Sequence, residues 1–162
     1  MHFHGSSEQK IPLRALPEVT VPFTSLTHWA AAYVGRPYRL GARGPDAYDC
    51  WGILVEVYES QFGIQLPLLP GISAAAAIAI SREIDLASKE EWDQVGTPFD
   101  GCAVALSQAR AYHHVGMHVD VEGGKILHAM EGQGVMIENL RRMRLRGFRR
   151  IAYFKHRLWP TS

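Results

Sequence analysis

Apolar residues recur in two rhythms along this chain, helical in the first part and alternating in the last. Between Ser25 and Arg36, Leu26, Trp29, Ala30 and Tyr33 fall at i, i+3, i+4 and i+7, on one face of a helix. Thr24 or Ser25 offers a side-chain cap, and Gly35 and Pro37 end the pattern. A second helix is predicted from about Asp49 to Phe62, with Ile53, Leu54, Val57 and Tyr58 inward and Glu56 and Glu59 outward. Gly63 follows where a left-handed residue commonly closes a helix. The AAAAIAI run predicts a third helix from Ser73 to about Leu86, and Lys89 to Asp100 reads as a polar connector anchored by Trp92. From Cys102 the period becomes two. CAVALS, HHVGMHV, KILHAM, GVMIEN and RIAYFKH are five strand candidates separated by turn residues such as Gly123, Gly124 and Gly132. Helices followed by strands predict an α+β domain, its N-terminal helices packed on an antiparallel sheet of about five strands. Cys102 falls inside the first of these strands, as a core residue. Met1 to Pro22, with Pro12, Pro17 and Pro22, reads as an irregular lead-in, and residues 23–158 as a single domain.

Composition narrows the function classes. Hydrophobic residues make up 47% and charged residues 20%, the balance of a globular chain rather than a disordered one. The net charge of +1 gives no overall attraction to nucleic acid. No stretch approaches the roughly 18–20 apolar residues of a membrane span. The first twenty residues include Glu8, Lys10, Arg14 and Glu18 and lack the apolar core of a signal peptide, so synthesis in the cytoplasm is expected, without ordinary secretion. Two cysteines, Cys50 and Cys102, are too few for a disulfide framework or a cysteine-rich zinc site. A bond between them would consume the nucleophile argued below, so both are expected reduced.

The candidate chemistry centres on Cys50. The preceding residues, Gly41 to Tyr48, are rich in Gly, Pro and Asp and read as a loop. Asp49 stands where its carboxylate can cap the helix that follows, which places Cys50 in the first turn. Free N–H groups and the positive end of the helix dipole there favour a thiolate. A small buried core residue is the alternative for any free cysteine. Downstream, His114 opens one predicted strand and His128 ends the next. A cysteine at a helix start with histidines on a neighbouring hairpin is the arrangement thiolate catalysis needs: one histidine moves the thiol proton and the second orients the first.

PYRLG, DCWG, HVGMHV and ILHA resemble, in order and spacing, the motifs of the NlpC/P60 cysteine peptidases, papain-like hydrolases of the bacterial cell wall. The resemblance runs from about His28 to about Phe154. It implies Cys50 as nucleophile, His114 as general base and His128 as the orienting third residue. It places Tyr38 at the substrate and oxyanion side of the cleft, to which Asp49 and Trp51, flanking the cysteine, are also assigned. Many members carry Ser where this chain has Trp51, so this indole is expected to form a wall of the cleft, with packing under the Tyr38 loop as the alternative. The implied substrate is an amide bond in a peptidoglycan stem peptide, of the D-glutamyl-diamino acid type, with no cofactor. The run ILHA…EGQGV resembles tail-associated phage and prophage members. That implies phage tail proteins as partners and action at the cell wall after delivery by a tail or injection system. A secreted interbacterial amidase effector and a non-enzymatic tail assembly protein with a vestigial cleft are the alternatives.

The remaining features carry weaker signals. His114, His118 and His128 can be read as a zinc set, which leaves Cys50 without a role, and no metal site is expected. His2 and His4, at the terminus, read as solvated. After Glu138 no acidic residue occurs, while Arg141, Arg142, Arg144, Arg146, Arg149, Arg150, Lys155 and Arg157 follow. That run reads as a solvated face or hinge loop, with docking on an acidic partner or anionic wall polymer as the alternative.

Overall fold

The computed structural model describes residues 28–67, 91–109 and 112–161. The lead-in and the helix expected from Ser73 lie outside the described residues. Among those described, six strands form one antiparallel sheet: β1 (Trp92–Val95), β2 (Ala103–Ser107), β3 (His114–Val119), β4 (Lys125–Met130), β5 (Gly134–Glu138) and β6 (Arg150–His156), in the order β1-β6-β2-β3-β4-β5. All five expected strands are present. The sixth, β1, corrects the polar connector. Asp93 and Gln94 are exposed and hid the strand, but the backbone pairs with β6 from Trp92↔His156 to Val95↔Tyr153, and Trp92 is buried between sheet and helix. Cys102 sits just before β2 and is fully buried.

The alternation of each strand sorts the sheet into two apolar faces. Ala103 and Ala105, Val115, Met117 and Val119, Leu127 and Ala129 lie on the first face, under α1 (Cys50–Phe62) with its Ile53, Leu54, Val57 and Tyr58. Val104, Leu106 and Ile126 lie on the second, under Met143 and Phe148. Met143 belongs to α2 (Leu140–Leu145), a two-turn helix capped by Asn139, whose Oδ1 accepts from the Arg142 N–H at 2.9 Å. The basic run expected to be surface therefore holds an element that closes a core.

α1 forms as its sequence predicts. Asp49 is its N-cap, and Gly63 its left-handed C-terminal residue (φ 67°), donating to the Glu59 carbonyl while Ile64 donates to that of Tyr58. The first expected helix is shorter than its pattern. Trp29–Ala32 form a 3-10 turn with His28 as N-cap, while the expected caps Thr24 and Ser25 lie outside the described residues. The His28 Nδ1 accepts from Ala30 and its Nε2 meets Asp100 at 2.8 Å, which pins the segment to the β1–β2 connection.

Candidate active site

The loop before α1 is held at both ends by backbone bonds. Gly35 donates to Val135 and Val135 to Arg36, fixing its start against β5. Tyr48 donates to Pro37 and Asp49 to Ala42, folding its end back on its beginning. Asp49 completes the arrangement: Oδ1 accepts from the Gly52 N–H at 2.6 Å and Oδ2 from the Gly41 N–H at 2.7 Å. One carboxylate thus caps the helix and ties the loop to it. Gly52 is required, since a methyl group there would run into the Ala42 carbonyl.

This scaffold puts Cys50 in the first turn of α1, against the start of β3. The β3–β4 register runs from Val119↔Lys125 to Met117↔Leu127 and goes no further. Two residues beyond, the Val115 amide is near enough to Cys50 to favour its thiolate, as are the amides of Trp51 and of Cys50 itself. These amides favour a thiolate, as the helix position does, but they do not prevail. Burial, reinforced by the Asp49 carboxylate, pushes the thiol up to about 12. With the residue only 8% exposed, desolvation works against the helix dipole.

His114 and His128 do come together. They leave the second face of the sheet on β3 and β4, with Nε2 of His114 and Nδ1 of His128 3.0 Å apart. The contact is a diagonal pair across two strands, and Gly116 makes it possible. A methyl on Gly116 would stand 3.1 Å from the His128 Cβ and 2.8 Å from the Leu127 carbonyl oxygen. The His114 ring also stacks on Phe148, with planes 18° apart. Burial first, then the neighbouring histidines, lowers the His114 pKa to about 3, so it is neutral at rest. Burial likewise lowers that of His128, against the pull of Glu138.

Two residues missed from the sequence continue this chain of contacts. His128 Nε2 lies 2.9 Å from Glu138 Oε2. Arg146 grips the same carboxylate with two bonds of 2.8 Å, Nε to Oε2 and Nη2 to Oε1, and reaches Gln133 Oε1 at 2.7 Å. Burial pushes the Glu138 carboxyl up, but the bonds from Arg146 and His128 outweigh it and hold it below the usual range. The available signal was the position of Glu138, which shares the sheet face of Met136, the partner of His128.

Tyr38 stands near Cys50, Asp49 and Glu131, and burial, then those charges, push its phenol up to about 12, leaving an O–H donor. It also lines a cleft of about 260 Å³ with Arg36, Gln133 and the glycines around them. Trp51 is placed differently from the cleft-wall expectation. It is buried in the helix-side core, and its Nε1–H donates to the Pro67 carbonyl at 2.9 Å. The packing alternative fits, with the indole tied to the segment after α1. His118 does not join the other two histidines: its Nε2 pairs with Asp120 at 3.0 Å. Among the described residues no three His, Cys, Asp or Glu side chains converge as a metal site would require.

A probable endopeptidase p60 of Listeria grayi is 30% identical over 118 residues, 73% of this chain. The chain spans only 20% of that relative's length. The NlpC/P60 family matches over residues 35–149, a span that takes in Tyr38, Cys50, His114, His128, Glu138 and Arg146, and the chain belongs to that family.

Proposed function

We propose that the protein is a cysteine peptidase that cleaves an amide bond in peptidoglycan stem peptides, of the D-glutamyl-diamino acid type. One observation carries the reading: a thiol in the first turn of a helix, near the amide of the residue after His114, with His114 itself bonded to His128. The family membership and the endopeptidase name of the Listeria grayi relative support the substrate class.

Thiol and imidazole are both neutral at rest, so proton transfer accompanies attack rather than preceding it. As substrate enters, the Cys50 sulfur adds to the amide carbonyl carbon while His114 takes its proton. The developing oxyanion meets N–H groups at the start of α1 and the Tyr38 hydroxyl. The C–N bond then breaks, His114 returns the proton to the leaving amine, and a thioester remains on Cys50. Water, deprotonated by His114, adds to the thioester and releases the acid, regenerating the thiol. Delivery by a phage or prophage tail belongs to the same proposal and rests on the resemblance of the residues around Gly132 to tail-associated members.

Purified peptidoglycan incubated with the protein should release fragments whose masses report new amine and carboxyl ends within stem peptides, and Cys50→Ala should release none. Intact stem peptides, or equal release by Cys50→Ala, would remove the reading and leave the tail assembly alternative.

A further inference from the structure

We propose that Glu138 and Arg146 are positioning residues that set the tautomer of both histidines, leaving Nδ1 of His114 as a bare proton acceptor. The proposal rests on His114 acting as the base for Cys50, and it extends that reading by two residues.

The reasoning runs inward from Arg146. A guanidinium has donors only. Gripped by two bonds of 2.8 Å, the Glu138 carboxylate is held ionised and is an acceptor only. Its remaining partner, His128 Nε2 at 2.9 Å, must therefore carry a hydrogen. With Arg146 already neutralising Glu138, and His128 itself buried, the imidazole stays neutral, so its Nδ1 is bare. The facing atom, His114 Nε2 at 3.0 Å, must then donate. A neutral His114 with hydrogen on Nε2 has a lone pair on Nδ1, and among the described residues no side chain or amide hydrogen-bonds that atom. The groups facing the pair are Glu138 and Arg146 on the His128 side and His113 on the His114 side. No other arrangement of hydrogens satisfies all four contacts with a neutral pair. If His128 carried its hydrogen on Nδ1, Nε2 would oppose a carboxylate lone pair to lone pair, and His114 would hold its hydrogen on Nδ1, where no proton can be accepted.

α2 and the turn after it are built to hold this relay. Asn139 caps the helix, Met143 anchors it in the second core, and Arg146 ends it with its carbonyl accepting from Gln108 Nε2 at 2.7 Å. Two residues on, Phe148 lies flat on His114. The same short segment therefore orients one histidine by stacking and the other through Glu138.

The test is nitrogen-15 NMR of the imidazoles in the full chain, with kinetics on peptidoglycan fragments. Wild type should show hydrogen on Nε2 and a bare Nδ1 for both His114 and His128. Glu138→Gln can turn its amide nitrogen to His128, so it should mix or invert both tautomers. It should lower kcat by up to about 10,000-fold, the scale of a wrong-tautomer defect, with KM little changed. Arg146→Lys keeps the charge but loses the fork, and should give a smaller loss in kcat with the tautomers partly mixed. A wild-type His114 with hydrogen on Nδ1 would overturn the proposal, even if no variant folds. So would a folded Glu138→Gln with unchanged tautomers and kcat. If the tautomers shift as stated but wild type cleaves no peptidoglycan, the relay stands and the peptidase reading falls.

Discussion

At the scale of single residues, the two histidines are not equivalent. In the proposed mechanism His114 handles the proton, so His114→Ala should abolish hydrolysis. His128 accepts from His114 through Nδ1 and contacts Glu138 through Nε2, at 3.0 and 2.9 Å. A glutamine there can accept with its carbonyl and donate with its amide, so His128→Gln should retain a measurable fraction of the rate where His128→Ala does not. Equal inactivity of His128→Gln and Cys50→Ala in a stem-peptide assay would show that His128 does more than orient. Trp51 is the opposite case. Next to Cys50 in sequence, it is buried and satisfied by Pro67. Trp51→Ser should cost about 3–5 kcal/mol in urea unfolding, the usual loss for a large buried aromatic. Unchanged stability with altered cleavage products would restore it to the cleft.

At the scale of elements, α1 and β2 to β6 were legible because each carries a recognisable pattern: a cap, one apolar face and a closing glycine for the helix, and short apolar runs set between turn residues for the strands. The catalytic candidates were legible for the same reason, since Cys50, His114 and His128 sit at recognisable points of those elements. What escaped was set by tertiary contact. β1 has two exposed polar residues in its middle, and only its pairing with β6 makes it a strand. α2 is short and carries Arg141, Arg142 and Arg144, so its single buried anchor, Met143, was lost among charges. Glu138 and Arg146 lie on two different elements, and no spacing joins them. The first helical pattern failed in the other direction: its described part, Trp29–Ala32, is a 3-10 turn that buries only Ala30. The β3–β4 crossing also depends on one small residue. Gly116→Ala should push His128 away from His114, and overpacking of this kind costs about 1–3 kcal/mol. Hydrolysis should fall far more than stability does. A Gly116→Ala protein with full activity would show that the crossing tolerates a side chain.

At the scale of the whole molecule, several neutral buried titratable groups set the pH range of stability. Burial lowers the pKa of His114, His128 and His156 below the ordinary 6.5. The unfolded chain therefore takes up protons that the folded chain does not, and this share of stability is lost as pH falls below 6.5, for His114 down to about 3. Glu138, held below its ordinary 4.5, works in the same direction: its contribution is present above that value and is lost as pH falls through it. The thiols act at the other end. Burial raises Cys50 to about 12 and Cys102 to about 11, from an ordinary 9.0, so stability declines as pH rises through 9.0 toward those values. Urea midpoints should peak at roughly pH 7–8.5 and fall on both sides. A midpoint as high at about pH 5 as at about pH 7.5 would mean that these histidines are not held neutral by the fold.

The central claim is that Cys50 is the nucleophile, and alkylation tests it most directly. Cys50 lies beside the Tyr38 cleft with 8% of its surface exposed, whereas Cys102 is fully buried. Limited iodoacetamide at neutral pH, followed by peptide mapping alongside a peptidoglycan assay, should place the adduct on Cys50 ahead of Cys102. Activity should fall in step with Cys50 modification, and a stem-peptide substrate should slow both. Preferential modification of Cys102, or full modification of Cys50 with hydrolysis intact, would contradict the claim.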